Sequence, residues 1–396
     1  MKFIPQFRSE VWTVAFRPFF LAVSLHAIFA LLIWVLILFS VIPSPFLVGG
    51  IQMHSYEMVY GFGRAAVVGF IFTAGQYWTK SVLIEGKALA FLFSLWFLGR
   101  FSFLASPALS YAAVTFDLYF DILVLFYILP ALFKKGQEHN RVVAITYFLF
   151  SLLHLLTAFS FLGVVPSDWS MHLIHLSIFV VLQFVAIIAG RILPFFTSVA
   201  VAGSNPRRFP HLETAIQYSG FIFLILETAT HSIPGIVPFV GVYCFFLSVL
   251  HFARWYFWEP WKSVRTPILW ILHSGYFWLC SGFFGFGLYH LGVWSASSAF
   301  HLFNAGAIGV FVYGMITRVS LGHTGRLIRA SKATVVGYVL INLAVITRVF
   351  LPIWNLYREA YFFSAIFWIT SFLIFFLQYA KILISPRVDF QSKPRV

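Results

Sequence analysis

From residue 19 to residue 384 the sequence is a succession of apolar runs about 20 residues long, broken by short polar gaps. A bilayer core leaves no water for backbone N–H and C=O groups, so such runs must satisfy themselves as helices. The runs fall at 19–42, 54–78, 86–106, 108–133, 142–163, 171–197, 212–231, 234–254, 267–289, 296–318, 333–351 and 360–384. They predict an all-α integral membrane protein with about twelve transmembrane helices in one bundle. Composition agrees, because 61% hydrophobic against 10% charged residues leaves a soluble domain almost nothing to present to water. The net charge of +14 does not point to nucleic acid: the basic residues sit between apolar runs, where they face anionic lipid. Cys244 and Cys280 form no CxxC pair and no CxxCH haem-attachment site.

The spacing predicts one polytopic domain over 1–396, since no loop is long enough to fold alone. Residues 1–18 read as a cytoplasmic segment lying on the membrane surface, 19–384 as the bundle and 385–396 as a cytoplasmic tail. The first run is too long for a signal-peptide core and has no small-residue cleavage site after it, so it reads as an uncleaved span. With twelve spans, 21 of the 26 basic residues fall on one face, and Arg100 and Arg358 are at most what the other carries. The positive-inside rule then places both termini in the cytoplasm.

Polar residues inside the spans are the candidates for function, because each implies a partner, a cavity or a ligand. His54, His172, His175 and His301 all fall near the outer end of their spans. His172 and His175 are three apart and share a helix face, a spacing that suits two imidazoles on one metal. The alternative for each is a hydrogen bond near the headgroups. His54 and Glu57 have the same relation, and Gly61 and Arg64 are expected to continue that face. Asp117 and Asp121, one turn apart in the fourth span, either relay protons or bond to neighbouring helices. Glu227, deep in the seventh, is either protonated or paired. The same counting puts His26 and His323 on the inner side and His154 on the outer side. Arg318 and Arg326 are placed where haem propionates could be held, although cationic residues at cytoplasmic helix ends are the ordinary explanation.

Several blocks together resemble one family. FRPFF at 16–20, HSYEMVYGF at 54–62, GRILPFFT at 190–197 and MITRVSLGHTGR at 315–326 are similar to the NnrS family, as are HNR at 139–141 and WILHSGYFW at 270–278. The resemblance implies a multi-pass protein of the bacterial inner membrane that binds haem b non-covalently and copper, and acts in resistance to nitric oxide and nitrosative stress. Of the family's WHxHEM block, carried onto residues 52–58, His54 matches the first His and Glu57 and Met58 match the Glu-Met. Tyr56 stands at the second His, so that ligand is either lost or replaced by a phenol.

The candidate haem-binding residues are therefore His54, His172, His175, His301, Arg318 and His323, the first four being the metal candidates. Glu57, Asp117, Asp121 and Glu227 are candidates for handling protons. Nitric oxide is the implied ligand, membrane lipid the surroundings, and the electron donor is not specified. The competing class is a twelve-helix secondary transporter with structural histidines, which predicts related halves around a midplane site.

Overall fold

The computed structural model describes residues 9–44, 49–102 and 107–388. The apolar runs become helices: α1 Phe16–Leu38, α2 Gly50–Tyr56, α3 Arg64–Thr79, α4 Gly86–Ser102, α5 Pro107–Leu132, α6 Arg141–Phe161 and α7 Trp169–Ala200. There follow α8 Pro210–Thr230, α9 Val237–Tyr256, α10 Pro267–His290, α11 Ala296–His301, α12 Phe311–Gly322, α13 Lys332–Phe350 and α14 Tyr357–Ile384. Two of the rods are composite. A π-helical stretch, Glu57–Gly63, joins α2 to α3, and a second, Leu302–Val310, joins α11 to α12.

Among the described residues, ten rods are long and apolar enough to cross a membrane. With α4 and α8 the long helices match the expected spans one for one. The protein is an all-α, multi-span membrane protein. Of the expected surface segment, residues 1–8 lie outside the described residues, as do 389–396 of the tail. The described part of the former is one 3-10 turn, Glu10–Trp12, that runs into α1.

Helix ends follow the sequence. Pro210 and Pro267 open α8 and α10 at a position where a missing N–H costs nothing. Ser331 caps α13 by accepting from the Thr334 N–H at 3.1 Å. Gly163 and Gly292, both at φ +73°, close α6 and α10 in the left-handed conformation that favours glycine. There Val164 N donates to Phe159 O at 2.9 Å and Val293 N to Leu288 O at 2.9 Å, so late carbonyls of each helix are satisfied.

The chain divides into two compact units. The first comprises 1–170, 318–328 and 375–396, and the second 171–317 and 329–374. In the first, α1 packs on α3 through Phe16, Phe19 and Phe20, which are buried. Arg17 is buried too, and donates to Leu383 O at 2.8 Å and Ser385 O at 2.7 Å at the end of α14. In the second, α7 is enclosed over 94% of its most apolar window, against 22% for α1.

Candidate functional site: a buried charge network beside an apolar groove

The sequence from Glu57 to Gly63, EMVYGFG, contains two glycines, which weaken α-helical hydrogen bonding. The chain there makes i→i+5 bonds instead, a local widening often found at functional sites. In an α-helix, Glu57 and Arg64 would return to one face after seven residues. The π turns break that register. Glu57 points towards α4 and stays with His54 and Gly61 beside one groove, whereas Arg64 enters a buried pocket between α5 and α6, so of the expected single face only Arg64 departs.

Arg64 is fully buried and uses its whole guanidinium. Nε donates to Tyr60 O at 2.8 Å, Nη1 to Asp121 Oδ2 at 3.2 Å, and Nη2 to Asp117 Oδ1 at 2.5 Å. Arg100 donates from Nη1 to Glu57 Oε2 at 2.8 Å and from Nη2 to Asp117 Oδ2. Thus Asp117 joins both arginines. Tyr56 OH lies 3.0 Å from Asp117 Oδ2 and 2.7 Å from His154 Nε2. His154 Nδ1 is 2.5 Å from Asp121 Oδ2, and Tyr147 OH donates to Asp121 Oδ1 at 2.8 Å. With all five groups ionised, three carboxylates against two guanidiniums leave one excess negative charge, and His154 and His26 lie against the carboxylates. The structure therefore pairs Asp117 and Asp121 with cations and also joins them in one hydrogen-bonded chain.

Glu57 opens this network onto a groove of about 590 Å³. His26 Nε2 donates to Glu57, 3.1 Å from both its carbonyl oxygen and Oε2. That contact puts His26 at the depth of Glu57, not nearer the opposite face as counting from a span starting at residue 19 suggests. Gly61 is what allows it. A Cβ there would come 2.8 Å from Glu57 Oε2 and 2.9 Å from Arg100 Nη1, and closer still to His26 Nε2. His54 forms one end of the groove, stacked on Trp34 with ring centroids 5.0 Å apart and planes 13° apart. At another corner of this unit, His323 Nδ1 meets Tyr77 OH at 3.0 Å and its ring lies 5.7 Å from Phe16. Burial pulls the His323 pKa down to about 4, so the ring is neutral at pH 7. Arg318, the other residue expected beside a haem edge, is buried.

The second unit holds the remaining candidate histidines. The His172 ring lies 5.1 Å from that of His231. Glu227, one helical turn before His231, pairs with His290 Nε2 at 3.0 Å, which identifies the partner that a carboxylate at that depth requires. His175 turns instead to Phe300, stacked at 4.0 Å. His301 Nδ1 donates to Ser297 O at 2.6 Å, a bond that requires a proton on Nδ1. Lower in this unit Arg254 pairs with Glu213 and donates to Ala186 O at 2.8 Å and Tyr276 OH at 3.0 Å. Among the described residues, no group of three or more His, Cys, Asp or Glu side chains is arranged to hold a metal ion.

A protein-family model described as NnrS protein matches residues 10–387, nearly the whole chain. The chain belongs to the NnrS family. No curated protein matches it. Seen against the NnrS block at 52–58, the position of Tyr56 is informative. The phenol occupies the network's centre, between Asp117 and His154, while His54 and Glu57 on either side of it line the groove. Sequence reasoning missed His26, His154 and Arg100 as members of this NnrS site. Charge matching would have found the arginine. Arg64 and Arg100 lie in the second and third spans, and Glu57, Asp117 and Asp121 are the carboxylates of spans two to four.

Proposed function

We propose that this NnrS protein is a haem-binding protein of the bacterial inner membrane, with both termini cytoplasmic. In this reading it protects against nitric oxide or nitrosative stress by binding the gas, or by reducing it, within the membrane. The family match over residues 10–387 carries the reading. The donor chemistry supports the haem. His54, His172, His175 and His301 are imidazoles set in apolar spans, and neutral imidazole is the common haem ligand. His301 is the best prepared, because its Nδ1–H is already tied to a backbone carbonyl, the arrangement that orients a ligating ring. Copper fits less well. No three donors stand ready for it among the described residues, and the phenol of Tyr56 replaces an imidazole of the family block, so no step is derived through copper.

Bound haem would supply an iron site for a small neutral gas that concentrates in lipid. The residues of the chain do the rest. In the second unit His172, His175 and His301 are the proposed candidates for holding the iron; in the first, taken by itself, His54 is a proposed candidate ligand and Arg318 and His323 are proposed candidates for holding a macrocycle edge. Asp117, Asp121, Glu57 and Glu227 are proposed to hold and pass protons. For the first three, this is supported by the unbroken run of hydrogen bonds from Glu57 through Arg100 and Asp117 to Arg64 and Asp121. The test is the optical spectrum of the detergent-purified, dithionite-reduced protein before and after nitric oxide, with metal analysis of the same sample. A Soret band that shifts with the gas is expected, and it should be lost in His301→Ala. A colourless, metal-free and folded preparation would overturn the reading.

A further inference from the structure

We propose that the groove in the first unit binds a membrane hydroquinone, an aromatic ring with two hydroxyls on an isoprenoid tail, and that His26, Glu57 and Arg100 hold the ring. The groove follows one stripe of α1, from Pro18 through Leu21, Leu25 and Phe29 to Trp34. The sixteen helical steps from Pro18 to Trp34 make it about 24 Å long. Apart from His26, Glu57, Arg100 and the terminal His54, its lining is apolar. Phe29 and Phe97 on its rim are 57% and 44% exposed, which in a membrane-spanning chain means open to lipid.

A hydrocarbon chain would explain the length of this groove but not its middle. His26 lies halfway along the stripe, and two of the polar groups beside it are incompletely bonded. Glu57 Oε1 and Arg100 Nε are buried with no hydrogen-bond partner. Such atoms are costly in an apolar setting, and a ligand carrying hydroxyl or carbonyl oxygens would satisfy them. Trp96 and Phe93 on the wall offer faces for an aromatic ring. An apolar tail with a polar, planar, uncharged head is the chemistry that matches all of these features.

The electron acceptor in this proposal rests on the haem reading above. Conversion of hydroquinone to quinone breaks two O–H bonds and releases two protons and two electrons. The Glu57 carboxylate takes one proton. His26, whose Nε2–H already donates to Glu57, takes the other at Nδ1. A bound haem would supply the one-electron acceptor, returned to its oxidised state after each transfer by nitric oxide, so that two molecules of the gas with the two electrons and two protons give nitrous oxide and water. Because the linked carboxylates outnumber the guanidiniums, the first proton lowers an excess negative charge.

The test uses the full chain in nanodiscs and a short-tailed benzoquinone as the probe, read by quenching of tryptophan fluorescence, since Trp12, Trp34 and Trp96 line the groove. Saturable quenching is expected. It should weaken at least tenfold in Ala30→Phe, which fills the groove, and in Glu57→Gln, which keeps the shape but not the charge. Ala30→Phe should melt as the parent does, and Glu57→Gln, which also removes a buried partner of Arg100 and His26, should remain folded at the assay temperature. No saturable quenching, unaltered binding in both variants, or a co-purifying phospholipid that quinone does not displace would overturn the proposal. Quinone binding to haem-free protein would sustain the site and remove only the acceptor. A nitric-oxide-responsive Soret band without quinone binding would sink the site and leave the haem.

Discussion

Replacing Arg64 by Met should be among the most damaging single changes in the protein. The side chain is fully buried, and its removal strips Asp117 and Asp121 of a shared cation while Arg100 alone remains to offset three carboxylates. The excess negative charge of the cluster would double. Removing one member of a buried ion pair costs about 3–5 kcal/mol. That corresponds to roughly two to three and a half powers of ten in the ratio of folded to unfolded protein. Met fills much of the same space, so the loss is electrostatic and not a cavity effect. The assay is SDS titration of the purified full chain, followed by tryptophan fluorescence. Arg64→Met combined with Asp121→Asn restores the parental charge count and should recover at least about 1 kcal/mol, within the range of coupling seen between contacting residues. A single variant within about 1 kcal/mol of the parent, or a double variant no more stable than the single, would refute this account.

Three further outcomes are expected. Gly61→Ala should displace His26 from Glu57, and the His26 imidazole resonances in a selectively labelled sample should move; unchanged resonances would mean the contact is not tight. His290→Leu should destabilise more than His290→Leu with Glu227→Gln, because only the single variant strands a buried carboxylate; equal melting temperatures would contradict the pairing. His323 is held neutral by burial, with its folded pKa near 4 below an ordinary 6.5. Its contribution is therefore fully present above pH 6.5 and is lost as pH falls towards 4, where the unfolded chain gains a proton that the folded chain refuses. His323→Gln should flatten stability across that window, and a profile identical to the parent would be contrary evidence.

The helices were legible because length and apolarity alone define a membrane span, and their ends because Pro, Ser and Gly sit where helix termini need them. Their starts were less so. Arg17 reads as an interfacial charge and so moves the expected start of the first span to Phe19, yet the helix begins at Phe16 and encloses Arg17 against carbonyls 366 residues away. No local pattern carries that information. The site was half legible. His54 and Glu57 stand out as polar residues in an apolar run, but the face they were expected to share with Arg64 depends on α-helical register, which the π turns remove. Likewise His172 and His175 do share one helix face by spacing, while their rings reach different neighbours, His231 and Phe300. Which neighbour a ring meets is set by the opposing helix, and periodicity is silent on that.

The bond between Arg17 and the end of α14 also has a consequence in time. The arginine leaves the ribosome some 366 residues ahead of the carbonyls that receive it, those of Leu383 and Ser385. At ~5–20 residues per second, the interval between making donor and acceptor is roughly 20–70 s. For that interval the first helix carries a cation without its final partners, and water or lipid headgroups must serve in their place. Only when α14 has been made can this guanidinium reach its native carbonyls, so the final seating of α1 cannot precede the synthesis of α14.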